Sequence, residues 1–244
     1  PPPAPSPEEV SAGGAAWPSS YQSVQTIGNV LSVILVLVLL VDVVAVISDM
    51  AEYSLLGRIQ SGEFVSDREA TASDIRQGAL GLLQSLLIVV SIVMWLIWFR
   101  RAYKNLVPLQ AGAPRFKPGW AIGAWFVPFL NLWRPLQMTK DVWNGSAPSA
   151  ARGPPLGGWA GAGMPPLLGF WWLFFIVANA AYPGFGEAVD ATSIADLRGL
   201  SLRFVIADSL SVVLDILAIA VVRGITSRQE QRAATLATQP TAAG

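Results

Sequence analysis

The sequence predicts an all-α membrane protein: a four-span transmembrane helix bundle with an interfacial amphipathic helix between spans two and three. Three observations predict this class. Of the 244 residues, 53% are hydrophobic, only 13% are charged, and the hydrophobic residues are concentrated in long runs. An average soluble domain carries about 25% charged residues, so a chain with half that amount is suited to lipid.

Four apolar runs are long enough to cross a bilayer. A spanning helix needs about 20 mostly apolar residues, and such runs lie at about 27–47, 79–99, 165–182 and 202–222. A shorter apolar stretch, 119–133, contains Pro128 and Asn131 and is too short to span comfortably. The membrane domain is therefore predicted over 27–225. A Pro-rich cytoplasmic tail (1–26) and a C-terminal tail (226–244) lack an apolar period, and we expect both to be disordered.

The composition also excludes several kinds of chemistry. The chain has no His and no Cys, which removes the imidazole base, the thiolate nucleophile and the common zinc ligands. We therefore expect no cofactor, no metal site and no enzymatic activity. The 16 basic residues balance the 16 acidic ones, so no net field attracts nucleic acid.

The distribution of basic residues predicts the orientation. Basic residues in short loops mark the cytoplasmic face, and the connection between spans two and three carries eight of them against Asp141 alone. The C-terminal region adds Arg223, Arg228 and Arg232. Both termini are thus predicted to be cytoplasmic, in a multi-pass protein of the cell membrane.

The cytoplasmic connection contains an aromatic and basic segment at about 119–145. From Phe129 onward, polar residues recur every three or four positions between apolar ones, a pattern that favours a helix in the headgroup plane of the inner leaflet. The stretch 119–133 is either interfacial or re-entrant. The segment serves either as a belt that fixes the height of the bundle or as a surface for lipid or a partner. The candidate surface residues are Arg100, Arg101, Lys104, Trp120, Trp125, Asn131, Trp133 and Arg134.

Two sequence blocks in this region carry a family resemblance. WFRRAYKNL (98–106) and FKPGWAIGAWFVPFLNLWRP (116–135), followed by DVW ending at Trp143, resemble the bacterial membrane family called domain of unknown function 4328. The resemblance extends over roughly 27–225. It implies a four-span bacterial membrane protein with no established activity, and it supplies no catalytic residue.

A layer of polar residues is predicted within the outer leaflet. Ionisable residues inside spans are costly, yet each span offers a polar group at a similar depth, and Asp215 lies deeper. The candidates are Asp42, Gln84, Asn179, Asp208 and Asp215. Asp42 and Asp49 are seven residues apart, as are Asp208 and Asp215, so each pair shares a helix face. If the Asp42 and Asp208 carboxylates face each other, they cannot easily both be ionised. One of them must then hold a proton or pair with an arginine, and Arg203 is the nearest candidate for that arginine.

These features leave two functions open. The first is a non-catalytic protein that binds or organises lipid headgroups, another membrane protein or a second copy of itself at the inner leaflet. The alternative is a small cation- or proton-coupled transporter or channel that uses the outer-leaflet aspartates. A purely structural role of the polar layer, in fixing helix register, fits the first function.

Overall fold

The structure, a computed structural model, describes residues 20–112, 114–148 and 163–238. Within these ranges the chain is helical and contains no strand. The helices are α1 (Gln25–Gln60), α2 (Asp67–Lys104), α3 (Trp120–Gly123), α4 (Arg134–Gly145), α5 (Pro166–Ala181), α6 (Phe185–Asp190) and α7 (Ile194–Thr238), with a 3-10 turn at Leu130–Leu132.

Three of these helices are long and apolar enough to cross a membrane. They are α1 with 36 residues, α2 with 38 and α7 with 45. Each exceeds the roughly 20 residues that a bilayer requires. The apolar helix α5, in the predicted span 165–182, has 16 residues, a length of about 24 Å against a hydrocarbon core of about 30 Å. The described residues therefore contain three candidate membrane-spanning helices and one shorter apolar helix.

Side-chain caps determine where α1 and α2 begin. At α2, the Ser66 hydroxyl accepts a hydrogen bond from the Glu69 amide at 3.3 Å. At α1, the cap comes from far along the chain, because the Glu230 carboxylate accepts hydrogen bonds from the Val24 and Gln25 amides, both at 3.0 Å. A carboxylate satisfies the otherwise unpaired amides of a helix N-terminus and complements its dipole.

The expected disorder of the C-terminal tail is wrong over 226–238, where α7 continues to Thr238. The physical reason is burial that the polar sequence does not reveal. Ile225 and Gln229 are fully buried and Arg232 is 2% exposed. The tail's last residues, 239–244, lie outside the described residues, as does the predicted N-terminal tail over 1–19.

The chain divides into two compact units. The first comprises the described parts of 1–32, 92–169 and 220–244, and the second comprises 33–91 and 170–219. The core of the first unit contains the fully buried side chains of Trp98, Phe99, Tyr103, Leu106 and Met138. The second unit buries Ala45, Trp171, Trp172, Ala178 and Ala207. The predicted aromatic segment belongs to the first unit and the predicted polar layer to the second.

Candidate functional site

The structure brings four of the five predicted polar-layer residues into side-chain contacts within the second unit. The Gln84 amide donates to the Asp42 carboxylate at 3.0 Å. The Tyr182 hydroxyl donates to Asp208. Asp215 neighbours Asp42. All three aspartates are at least 93% buried, with exposures of 4% for Asp42, 3% for Asp208 and 7% for Asp215.

Asn179 and Arg203 do not take part in these contacts. Asn179 is exposed, and its amide donates to the Phe175 carbonyl of its own helix at 2.7 Å. Local bonding to the preceding turn satisfies this side chain without a second helix. Arg203 forms its ion pair with Glu187, and the two side chains are 42% and 53% exposed, so this arginine is not the partner of a buried aspartate.

Sequence reasoning missed that the polar cluster continues beyond the predicted end of span one. Asp49, 7% exposed, accepts a hydrogen bond from the Gln77 amide at 3.1 Å and neighbours Asp208. The carboxyl of Asp42 neighbours that of Asp215 and also interacts with that of Asp208, whereas Asp49 neighbours Asp208. The available signal was the seven-residue spacing itself. Two antiparallel helices that each carry carboxyls two turns apart place them in two matched pairs.

In the first unit, three of the eight predicted surface residues are exposed. These are Arg100, Trp120 and Trp133, the two tryptophans at 40% and 44%. Around them, the stretch 126–132 exposes further apolar side chains, including Phe126 at 66%, Phe129 at 76% and Leu132 at 52%. We call these five apolar residues, Trp120, Phe126, Phe129, Leu132 and Trp133, the aromatic edge.

Other predicted surface residues make contacts within the unit. Trp125 packs edge-on against Trp95 and Phe99, with ring centroids 5.9 and 6.3 Å apart. Arg101 donates to the Ser23 carbonyl at 3.2 Å, and the Arg134 guanidinium lies 4.2 Å from the Phe116 ring centroid. Lys104 and Asn131 are half-buried. The contacts of these residues fix the position of the segment within the first unit, and their side chains contribute less to its exposed surface.

The helix of this segment is shorter than the pattern predicts and its polar face is partly buried. It begins at Arg134 instead of Phe129, which has a φ of 64° that interrupts helical geometry directly after Pro128. Asp141, placed on the predicted solvent face, is fully buried. Within α4, Asp141 is buried together with Met138 and Val142, so the buried face of this helix is both polar and apolar. The exposed aromatic edge precedes the helix.

Asp141 is buried because an arginine from the preceding loop pairs with it. The Arg115 Nε donates to one Asp141 oxygen at 2.8 Å and a terminal guanidinium nitrogen donates to the other. Burial raises the pKa of Asp141, and the Arg115 hydrogen bonds oppose this effect. The same hydrogen bonds raise the pKa of Arg115. This bidentate pair joins the loop before the aromatic edge to the helix after it.

A buried polar network, also absent from the sequence-based predictions, attaches the end of α7 to the connection. Gln229 accepts from the Asn105 amide at 3.0 Å and donates to the Ala102 carbonyl at 2.8 Å. Arg232 donates to the carbonyls of Leu109 at 2.7 Å, Ala147 at 2.8 Å and Gln110 at 3.2 Å. No local pattern predicts contacts between residues more than 80 positions apart.

A close approach within the first unit depends on a glycine. A Cβ at Gly224 would come within 2.7 Å of the Trp143 ring, a separation at which something must shift. The Arg228 guanidinium, one turn further along α7, lies 4.1 Å from the centroid of the same ring. Trp143 therefore packs against α7 at two successive turns, on Gly224 and on the Arg228 guanidinium.

These observations define the class of protein: an all-helical protein with apolar helices suited to a membrane, carrying buried acids in one unit and an exposed aromatic edge in the other. The particular family follows from comparison with known families. The chain belongs to the family described as domain of unknown function (DUF4328), whose model matches residues 61–227. This confirms the resemblance inferred from the two aromatic blocks. No curated protein and no solved structure matches the chain.

Proposed function

We propose that this protein is a non-catalytic membrane protein of the cell membrane that binds anionic lipid headgroups at the inner leaflet through its aromatic and basic segment. The proposal includes four spans, with α5 as the third, and cytoplasmic termini. The observation that carries it is the aromatic edge, whose five large apolar side chains are all exposed.

The composition of the edge favours a membrane interface. Tryptophan is enriched at the headgroup level, where the ring meets apolar material and its N–H stays wet. An exposed apolar patch of this kind marks an interaction surface. The Arg115–Asp141 pair and the Trp125 contacts hold the segment in place, so little ordering entropy is lost on binding.

Basic residues in the same connection supply the attraction for an anionic headgroup. Arg100 and Lys117 are both exposed, and Lys117 precedes the edge by three positions. Each basic residue near an anionic leaflet contributes about 1 kcal/mol. Replacing both with Gln should therefore weaken the binding of anionic lipid by about 2 kcal/mol, or roughly 30-fold.

The test is a titration of detergent-solubilised protein with short-chain phosphatidylglycerol and, separately, phosphatidylcholine, followed by tryptophan fluorescence. We expect tighter binding of the anionic lipid, with the preference lost in Arg100→Gln/Lys117→Gln. The matched control, Arg58→Gln/Arg68→Gln, removes the same charge from the opposite predicted face and should behave as the parent protein. Equal binding of the two lipids by the parent protein, or equal losses in both variants, would contradict the proposal.

A further inference from the structure

The second unit contains a pocket that the proposed lipid surface does not use. Its volume is about 270 Å³, and its polar lining residues include Asp49, Glu52, Gln77, Gln84, Tyr182 and Asp208. The described residues that line it include three carboxylates and neither Lys nor Arg. The electrostatic character of the pocket is therefore acidic.

Of the three acids, Glu52 has its own partners. It accepts a hydrogen bond from the Ser73 hydroxyl, and its carboxylate lies 3.9 Å from the Arg76 guanidinium. Arg76 is further engaged with the hydroxyls of Ser48 at 2.8 Å and Ser73 at 2.6 Å. Glu52 thus does not require a ligand.

Asp49 differs, because one of its carboxylate oxygens lacks a donor. Gln77 donates to Oδ1 at 3.1 Å, whereas Oδ2 is buried with no hydrogen-bond partner among the described residues. The whole residue is 93% buried, being 7% exposed, and it lines the pocket. Its neighbour is another carboxyl, that of Asp208. A buried acceptor without a donor is costly, and two adjacent carboxyls are stabilised either by a proton on one of them or by a positive group between them.

The size and walls of the pocket indicate which positive group fits. A volume of about 270 Å³ exceeds that of a bare ion and approaches the lower end of small-molecule sites. Among the described residues, no group of three or more His, Cys, Asp or Glu side chains could hold a metal ion. Apart from Ser201, the remaining walls are apolar and aromatic, with Leu56, Leu80 and Phe204 among them. An aromatic face also favours an organic cation.

We infer that this pocket binds a small primary ammonium compound, with the ammonium group donating to Asp49 and Asp208 and the hydrocarbon part against Leu80 and Phe204. An ammonium group has three donors, which supply Asp49 Oδ2 with the hydrogen bond it lacks. The inference is independent of the proposed lipid binding.

The experiment measures the thermal unfolding midpoint of the full-length protein in detergent. Butylammonium chloride, butanol, butyrate and sodium chloride are each added separately at millimolar concentration. Butylammonium should raise the midpoint in the parent protein, and the other three should not. Asp49→Asn should raise the butylammonium concentration needed for the same shift of the midpoint by about 30-fold or more. A loss of this size is expected when one member of a buried charge pair is removed. Asp74→Asn removes an exposed acid of the same unit and should leave the response unchanged.

A second variant tests the pocket without changing any charge. Gly81 lines the pocket, and a Cβ there would meet nothing within 4 Å. Gly81→Leu should therefore fold, fill part of the volume and weaken butylammonium binding. The inference is overturned if the parent protein does not respond, if Asp49→Asn and Gly81→Leu both respond fully, or if sodium gives the same Asp49-dependent shift as butylammonium.

Discussion

Individual side chains in this protein are used to neutralise buried charge in pairs. Arg115 and Asp141 form such a pair in the first unit, where the Arg115 side chain is 25% exposed and that of Asp141 is fully buried. A bidentate guanidinium satisfies both oxygens of a carboxylate. The pair therefore allows an acid to be buried in the same helix face as the apolar side chains of Met138 and Val142.

The first prediction concerns the pH dependence of this pair. In Arg115→Gln, burial raises the pKa of Asp141 with only the Lys140 charge opposing it, so this pKa rises further above the unfolded value of about 3.9. A folded state that binds the proton more tightly than the unfolded state loses stability as pH rises through that window. Relative to the parent protein, the variant should lose little stability near about pH 4 and about 3–5 kcal/mol near about pH 8, measured from unfolding midpoints in detergent.

The double variant Arg115→Gln/Asp141→Asn provides the control. With no carboxyl to titrate, the loss should be similar at both pH values. A single variant whose loss is the same at both pH values would show that the packing of Arg115, and not its charge, stabilises the connection.

At the scale of elements, the long helix α7 makes many of the tertiary contacts of the first unit. α7 supplies the Glu230 cap of α1, the Gln229 contacts and the Arg232 hydrogen bonds to three carbonyls. The part of α7 that looks like a polar tail in the sequence is therefore attached to the connection that carries the aromatic edge. Its helical structure depends on tertiary contacts, since isolated polar helices of this length are marginal.

The second prediction concerns the end of α7. Arg232→Gln leaves buried carbonyls without their donor, which should lower the free energy of unfolding by about 1–3 kcal/mol. Amides of 226–238 should exchange with solvent about tenfold faster or more, whereas amides of 205–220 should be unchanged. Arg223→Gln, an exposed arginine on the same helix, should have no such effect. Unchanged exchange at 226–238 in Arg232→Gln would show that the other contacts suffice.

Much of the fold could be predicted from local patterns, and the remainder depends on distance in sequence. The apolar runs gave α1, α2 and α7, because hydrocarbon length alone requires about 20 such residues. The seven-residue spacing of the acids indicated paired faces but not the partners, since the register between helices is a tertiary property. No local sequence pattern indicates the roles of Gln229, Glu230 and Arg232, because each forms hydrogen bonds with groups more than 80 residues away.

At the scale of the whole molecule, the question is how the chain crosses the bilayer. The three long helices are candidates by length and composition, and the proposed fourth crossing is by α5 with its 16 residues. A short helix can cross where the bilayer thins or flanking residues adjust. The number of crossings determines on which side of the membrane the 183–193 connection lies.

The third prediction uses the absence of cysteine, which permits single-cysteine reporters without a background. Ser61→Cys, Lys117→Cys and Asp190→Cys replace exposed residues in three different connections. With four spans and cytoplasmic termini, a membrane-impermeant maleimide applied to intact cells should label the first and third but not the second. Labelling at Ser61→Cys alone would mean that α5 does not cross, and labelling at Lys117→Cys would reverse the orientation.

The contact between Gly224 and Trp143 has a consequence for the evolution of the family. Because a Cβ at 224 would meet the indole at 2.7 Å, a larger residue at 224 requires the side chain at 143 to shift or to be smaller. Relatives with a larger residue at 224 should therefore tend to carry a smaller one at 143, and the two positions should covary in an alignment of the family.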